Sequence, residues 1–378
     1  MTQTWQSRFE ELHQSAAEQA GLSDFGDADY HEGFRILLES LDQEGIAGSK
    51  ASMMEWVIVA TLVGRLRTEA QWKAHPEYKA REIPAPVIVI GVPRTGTTAL
   101  HNLLSQDEQF QGIERWICDA PLVRPARDAW ADHPQYQASM ELYEQFLAVA
   151  PKAMVAHGVK PDEVDECLLP MSQSFCSNTF PSQLDLPHYD DWLMKADETA
   201  SYRRYKDMLR LVGLNDDRRW LLKNPSHVFG IDALLAVFPD ACVVQTHRHP
   251  ASSLASLVSL LDGFIGGLTG EPIDRERRLK REAAFWAEGV RRTMAAQDRH
   301  PDRFVNVLQG EIRRDPLGVV QAIYGKFGLD LSTQARIAMQ DWANANSEQE
   351  GAGHSYEKIG RDSPLVAPFA EYIERYGL

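Results

Sequence analysis

Fifteen residues, Pro86-Val-Ile-Val-Ile-Gly-Val-Pro-Arg-Thr-Gly-Thr-Thr-Ala-Leu100, constrain this chain more than any other stretch. Their first half is a short apolar run rich in β-branched residues, the mark of a buried strand. Gly91, Pro93 and Gly96 then force a tight turn, and a helix is predicted over 99–105. Strand, glycine-bearing loop and helix together gather backbone N–H groups and the positive end of a helix dipole around one anion. The interval from Gly91 to Gly96 is that of a nucleotide-binding P-loop, but Thr97 stands where that motif needs lysine. The cation has moved into the loop as Arg94, an arrangement poorly suited to a nucleoside triphosphate and better suited to a smaller 5′ group.

Here the sequence resembles a known family. Pro93-Arg94-Thr95-Gly96-Thr97-Thr98 is similar to the 5′-phosphosulfate loop of sulfotransferases, in the Pro-Arg-(Ser/Thr)-Gly-Thr-Thr form of bacterial and tyrosylprotein-type members. His75-Pro76-Glu77 ahead of the strand also resembles the bacterial members. The resemblance implies 3′-phosphoadenosine 5′-phosphosulfate (PAPS) as the donor co-substrate. It also implies that Arg94 and the amides of Thr95, Gly96, Thr97 and Thr98 hold the 5′ group.

A second signature is read from the residues themselves. Arg248 closes the apparent strand Cys242-Val-Val-Gln-Thr-His247, Pro250 opens a helix, and Ser252, Ser256 and Ser259 fall on one face of it. A guanidinium at the strand end and the Ser256 hydroxyl can grip a second phosphate. The same Arg…Ser spacing matches the 3′-phosphate site of sulfotransferases. The strand lacks the Walker B acid, so no Mg²⁺ and no other metal is expected.

The third piece is Trp220-Leu-Leu-Lys-Asn-Pro-Ser-His227. In tyrosylprotein-type members a matching strand ends in Lys-x-Pro, and the resemblance implies that Lys223 bridges donor and acceptor and stabilises the leaving oxygen. His227 touches donor or acceptor, or caps its helix; the residues leave this open. The acceptor hydroxyl needs a base. By resemblance this is Glu114, which lies 20 residues after Arg94, although Ile117 follows Trp116 where many bacterial relatives have Trp-Glu. His227 and the acidic run Pro161-Asp-Glu-Val-Asp-Glu166 are the alternatives. The tail Gly353-His-Ser-Tyr-Glu-Lys-Ile-Gly360 resembles the family's closing segment and implies that Tyr356 lines or covers the nucleotide.

The rest of the chain frames these motifs. Residues 1–82 form a helical N-terminal lobe expected to pack on the core, with a long helix from about Ser49 to Trp72. Residues 83–378 form an α/β domain. The fold class expected is α/β, a P-loop-like, mainly parallel sheet flanked by helices, because strands alternate with helices around 86–100, 220–238, 242–260 and 304–308. A helical insert at about 121–215, with helices near 134–149, 161–173 and 199–212, reads as an acceptor-side wall. Met171, Phe175, Phe180, Tyr189, Trp192 and Met194 are its candidate pocket lining, or simply core. Asn344–Ser355 reads as a mobile loop.

With 378 residues, 44% hydrophobic and 25% charged, the chain has the composition of a soluble globular protein. A formal charge of −15 counts against nucleic acid or an anionic membrane as partner, and requires local cations to hold a polyanionic donor. Four scattered cysteines suggest neither disulfides nor a zinc site. The first residues lack a charged-then-apolar pattern, so no signal peptide and a cytoplasmic location are expected. Trp56–Val63, taken as the longest apolar stretch, is too short to span a bilayer. The function expected is sulfuryl transfer from PAPS to a hydroxyl of a small-molecule or lipid acceptor of apolar character. A P-loop-type small-molecule kinase and a non-catalytic nucleotide-binding protein are the rival readings.

Overall fold

In the computed structural model, residues 4–151, 154, 158–346 and 357–378 are described. Tyr356 and most of the Asn344–Ser355 segment lie outside them. Five strands, β1 (Val87–Gly91), β2 (Phe110–Gln111), β3 (Arg219–Lys223), β4 (Cys242–His247) and β5 (Phe304–Leu308), form one parallel sheet in the order β2-β3-β1-β4-β5. Parallel strands need both faces covered. Val87 and Val89 turn to one apolar cluster, and Ile88 and Ile90 turn to the other. The β-branched run around Val87–Ile90 is therefore buried throughout.

The helical prefix consists of α1 (Phe9–Ala20), α2 (His31–Gln43) and the 27-residue α3 (Gly48–Ala74). Met54, Ile58, Leu62 and Leu66 recur at four-residue steps on the buried face of α3, each contributing about 1.5–3 kcal/mol by leaving water. Arg65 between them is fully buried. It donates to the carbonyls of Phe25, Asp27 and Gln173 and pairs with Asp29 at 2.9 Å, tying the prefix to the insert. One apolar cluster runs from Trp5 through the insert to Tyr372.

The connecting helices that matter below are α4 (Thr97–Leu104), α5 (Pro134–Val149), α6 (Thr199–Val212), α7 (Ile231–Val237), α8 (Pro250–Thr269), α9 (Arg275–Arg299) and α10 (Gln309–Arg314). Two expectations need correction. The helix predicted over 161–173 exists only as Leu168–Ser172, because residues before it are drawn into non-local backbone bonds. And α8, not Trp56–Val63, is the most bilayer-like segment: it is long and apolar enough to cross a membrane, despite its serines, with half of that window buried. The edge strand β2 was not anticipated; two residues carry no periodicity to read.

Candidate active site

Parallel register brings the ends of four strands to one edge. Lys223 pairs with Val89, Thr246 with Gly91, and Leu308 with His247. From β1 the chain passes to β2 and β3 on one side and then crosses to β4 on the other, so the crevice at their carboxyl ends is a topological switch point. The three motifs spaced over more than 150 residues meet there.

The loop after β1 is fixed by close backbone contact. Gly91 has φ 144°, and a Cβ there would lie 2.6 Å from the Thr246 carbonyl oxygen. The Thr95 side chain turns inward, with its Oγ1 donating to the Val92 carbonyl at 2.7 Å and 2.6 Å from Thr246 Oγ1. Only the Thr95 backbone is left for a ligand. Arg94 adopts φ 70°, a left-handed conformation that costs a non-glycine residue of order 1–3 kcal/mol and is typical of functional loops. The conformation sends its guanidinium across to α8, where Nε donates to Ser256 Oγ at 3.1 Å. Arg248 Nη1 in turn donates to the Arg94 carbonyl at 3.2 Å. The first N–H satisfied by the turn of α4 is that of Leu100, on the Gly96 carbonyl at 3.0 Å. The amides of Thr97, Thr98 and Ala99 point at the helix N-terminus without intrahelical partners. Two guanidinium groups, a hydroxyl and a fan of amides suit a ligand with two separated phosphate-like groups.

Lys223 is buried at the end of β3. Its Nζ donates to Glu166 Oε1 at 2.6 Å and to Thr98 Oγ1 at 3.4 Å. Glu166 reaches it because residues 161–167 form a turn and a bridge rather than a helix. Val164 bridges to Glu114, Asp165 N–H donates to the Ile113 carbonyl at 2.8 Å, and Cys167 N–H to the Lys223 carbonyl at 2.9 Å. The acidic run, one of the alternatives for the base, thus places its last member at the lysine. Burial pushes the neighbouring Cys167 thiol up to about 12, which keeps it neutral.

Glu114 sits elsewhere. Its Oε2 accepts from Arg124 Nε at 3.0 Å, within a cluster that includes Gln111 and Asp216, and it is not among the residues that line the cavity described below. His227 is buried, with Nδ1 2.8 Å from the Tyr202 hydroxyl and Nε2 without a partner. Burial pushes its pKa down to about 3, so the ring is neutral at pH 7. His101, under the same lysine, is likewise pushed down to about 3, first by burial and then by the Lys223 charge.

A cavity of about 2110 Å³ opens from the loop. This exceeds an ordinary small-ligand pocket of roughly 300–1,000 Å³ and leaves room for two reactants. Its polar end holds Arg94, Gly96, Thr97, Thr98, Glu166, Arg248 and Ser256. From there it follows one face of α3, at Met53, Trp56, Val57, Ala60, Thr61, Gly64 and Arg67. At 1.5 Å per residue, that face is about 21 Å long. Phe146 of α5 and Leu257, Leu260, Leu261 and Phe264 of α8 form the opposite wall.

Met171, Phe175, Phe180, Tyr189, Trp192 and Met194 are not part of this lining. Phe175 and Phe180 stack at 5.1 Å, Phe34 lies 4.5 Å from Phe175, and Tyr189 is fully buried, its hydroxyl donating to the Phe175 carbonyl. Met171, Trp192 and Met194 join the same apolar cluster. Besides Phe146, the insert contributes residues such as Leu168, Leu169, Ser172 and Gln173. Sequence reasoning missed Arg115 and Arg313, both in the cavity wall. Arg313 follows a strand-to-helix junction like those of the other motifs, at β5 to α10, and that position was its only signal.

A model of the sulfotransferase family matches residues 86–333. Curated relatives named omega-hydroxy-beta-dihydromenaquinone-9 sulfotransferase Stf3, from Mycobacterium bovis and Mycobacterium tuberculosis, are each 26% identical over 318 residues, covering 77% of this chain and 75% of theirs. Among solved structures, sulfotransferase STF1 from Mycobacterium tuberculosis H37Rv superposes with a TM-score of 0.85 at 35% identity, covering 96% of this chain and 98% of its own. Sulfotransferase STF9 from Mycobacterium avium has the same fold, with a TM-score of 0.83 at 24% identity over 97% of this chain and 96% of its own. The chain belongs to the sulfotransferase family.

Proposed function

We propose that this sulfotransferase takes its sulfuryl group from PAPS and delivers it to the hydroxyl of an elongated apolar alcohol. One observation carries the reading: Glu166, which accepts from the buried Lys223 at 2.6 Å, lines the same cavity as Arg94 and Arg248 and as the apolar residues of α3 and α8. The donor set fits the co-substrate. Arg94 and the Thr97 and Thr98 amides face the 5′-phosphosulfate, and Arg248 with Ser256 grips the 3′-phosphate. The curated relatives are named for an omega-hydroxy-dihydromenaquinone, in keeping with an apolar acceptor.

Glu166 acts as base. It takes the proton of the acceptor hydroxyl as that oxygen forms its bond to sulfur. The bond from sulfur to the 5′-phosphate oxygen breaks, and its electron pair stays on the phosphate. Lys223 Nζ and the amides of α4 are aimed where that charge develops, and a buried cation acts there more strongly than it would in water. Adenosine 3′,5′-bisphosphate and the sulfate ester leave. Neutral His227 stands behind this pair as a packing and positioning group, held by Tyr202.

The test is incubation with PAPS and a series of alcohols of increasing chain length, followed by mass spectrometry for the gain of one sulfate. Turnover that rises with chain length is expected. Sulfation confined to sugars or short polar alcohols, or stabilisation by ATP–Mg²⁺ without stabilisation by adenosine 3′,5′-bisphosphate, would overturn the reading.

A further inference from the structure

Five large apolar side chains are markedly exposed among the described residues, and four of them stand together. They are Trp56 (48% exposed), Leu147 (41%), Val149 (51%) and Leu268 (36%). Single exposed apolar residues are ordinary on a protein surface; a contiguous group is not. These four come from three helix segments that converge. The Trp56 ring lies edge-on to Phe146, with centroids 6.0 Å apart. A Cβ on Gly267 would stand 2.8 Å from the Ala150 Cβ and 3.0 Å from the Val149 carbonyl, so the end of α8 meets the end of α5. Phe264 packs against Ala150 and Leu260 below them.

The group is also the rim of the cavity. Trp56, Phe146, Phe264 and Leu268 line the groove from within, while Leu147 and Val149 flank its outside. One cavity therefore runs from this apolar rim, past Val57, Leu257 and Leu261, to Glu166. Lys50, at the start of α3, is already paired: it meets Glu271 at 3.0 Å, and Ser49 donates to the same carboxylate at 2.9 Å.

We propose that this rim seats on the surface of a lipid bilayer, where it collects an alcohol dissolved in the acyl layer. The proposal rests on the apolar-acceptor reading above. The occupant is a bilayer because the patch is the mouth of a channel. A closed protein partner there would block the acceptor's route, whereas a bilayer supplies it. A tryptophan among aliphatic residues at the rim is the composition that inserts at the headgroup boundary. With a formal charge of −15 and Lys50 paired, the attraction is hydrophobic and gains nothing from anionic lipid.

The experiment is co-sedimentation of the full chain with phosphatidylcholine vesicles, without donor or acceptor. Wild type is expected to bind. The doubly substituted Leu147→Ser, Val149→Ser chain, altered only at exposed positions, should bind about tenfold more weakly. Brominated phosphatidylcholine should quench the emission of Trp56, and Trp56→Phe should abolish that part of the quenching. Vesicles containing phosphatidylglycerol should bind no better than neutral ones.

Three results would overturn the proposal. They are wild type remaining in the supernatant, binding that requires anionic lipid, and light scattering that shows a dimer dissolved by the same double substitution, which would make the face a subunit interface. The two readings separate cleanly. Vesicle binding without sulfation of any embedded alcohol would refute the acceptor class and leave the docking intact. Sulfation of detergent-dispersed long-chain alcohols without vesicle binding would refute the docking alone.

Discussion

On the function proposed above the cavity has a donor end and an acceptor end, and the two are built by different means. The donor end is assembled from backbone: strand termini in fixed register, a loop locked by Gly91 and Thr95, and helix N-terminal amides. The acceptor end is assembled from side chains on α3, α5 and α8, which share no register and meet only by packing. A phosphate group demands donors within a few tenths of an ångström. An alkyl chain demands only apolar volume. The first end should therefore fail abruptly on substitution, and the second by degrees.

The largest effect should come at the junction of the two ends. Lys223→Ala is expected to lower kcat by about a thousandfold, because its charge matters most as the leaving oxygen develops charge. Binding of adenosine 3′,5′-bisphosphate should change by less than about tenfold. Steady-state kinetics beside calorimetric titration would decide it, with a cooperative melt as the check on folding. Loss of nucleotide affinity at normal turnover would move Lys223 from chemistry to binding and blur the boundary between the two ends.

Glu166→Gln should lower kcat by about a hundredfold or more, within the range of a general base. Glu114→Gln should act differently. It leaves Arg124 short of one ion-pair partner and should show itself as a lowered melting temperature, with kcat within about fivefold of wild type. If the two variants exchange these phenotypes, the base belongs to the Arg124 cluster and the acidic run is merely structural.

Which parts of the molecule were legible in the sequence follows the same division. β1, β4 and β5 announce themselves by apolar β-branched runs, and the loop by its glycines, because strand, turn and cradle are all local. That Arg248 and Ser256 face one cavity was legible because a single strand-to-helix junction relates them. Glu166, the base proposed above, could be narrowed only to a six-residue acidic run. Its position depends on the bridge between Val164 and Glu114, a pairing of residues 50 apart that no local pattern encodes. The choice between pocket lining and core for the insert's aromatics stayed open for a related reason. Phe175, Phe180 and Tyr189 look like pocket lining by composition, and only tertiary packing shows them stacked in the core while α3 and α8 supply the groove.

The buried ring beneath the donor end gives a pH test. His101 is neutral in the fold down to about pH 3, whereas an unfolded histidine takes up its proton near pH 6.5. The folded pKa is the lower of the two, so the unfolded state binds more protons between those values. The contribution of His101 to stability is complete above the unfolded pKa and is lost progressively as the pH falls below it. From pH 7 to pH 5 the loss is about 2 kcal/mol for this one ring. His101→Asn should remove that part of the slope, measured by denaturant titration at the two pH values. An unchanged slope would mean that the ring is hydrated and not part of the sealed floor under Lys223.

Arg248→Ala probes the second phosphate grip. It should weaken adenosine 3′,5′-bisphosphate by about thirtyfold, the scale of a lost charge-assisted contact, and adenosine 5′-phosphosulfate, which lacks the 3′ group, by only a few-fold. Equal losses would mean that Arg248 acts through the loop, by way of its bond to the Arg94 carbonyl, rather than on the ligand.

The smallest effect should be at the far end. Phe264→Ala opens the groove wall without exposing a charge, and one truncated contact in a groove of about 21 Å is shared among many. The KM for a long-chain alcohol should rise by about fivefold, while the KM for PAPS and the kcat stay near wild type, since uniform binding is what the wall supplies. The effect should shrink as the alcohol is shortened and vanish once its chain no longer reaches α8. A loss that persists with the shortest acceptor would mean that Phe264 supports the donor end through α8 and Ser256. The separation of a rigid donor end from a forgiving acceptor end would then fail along that helix.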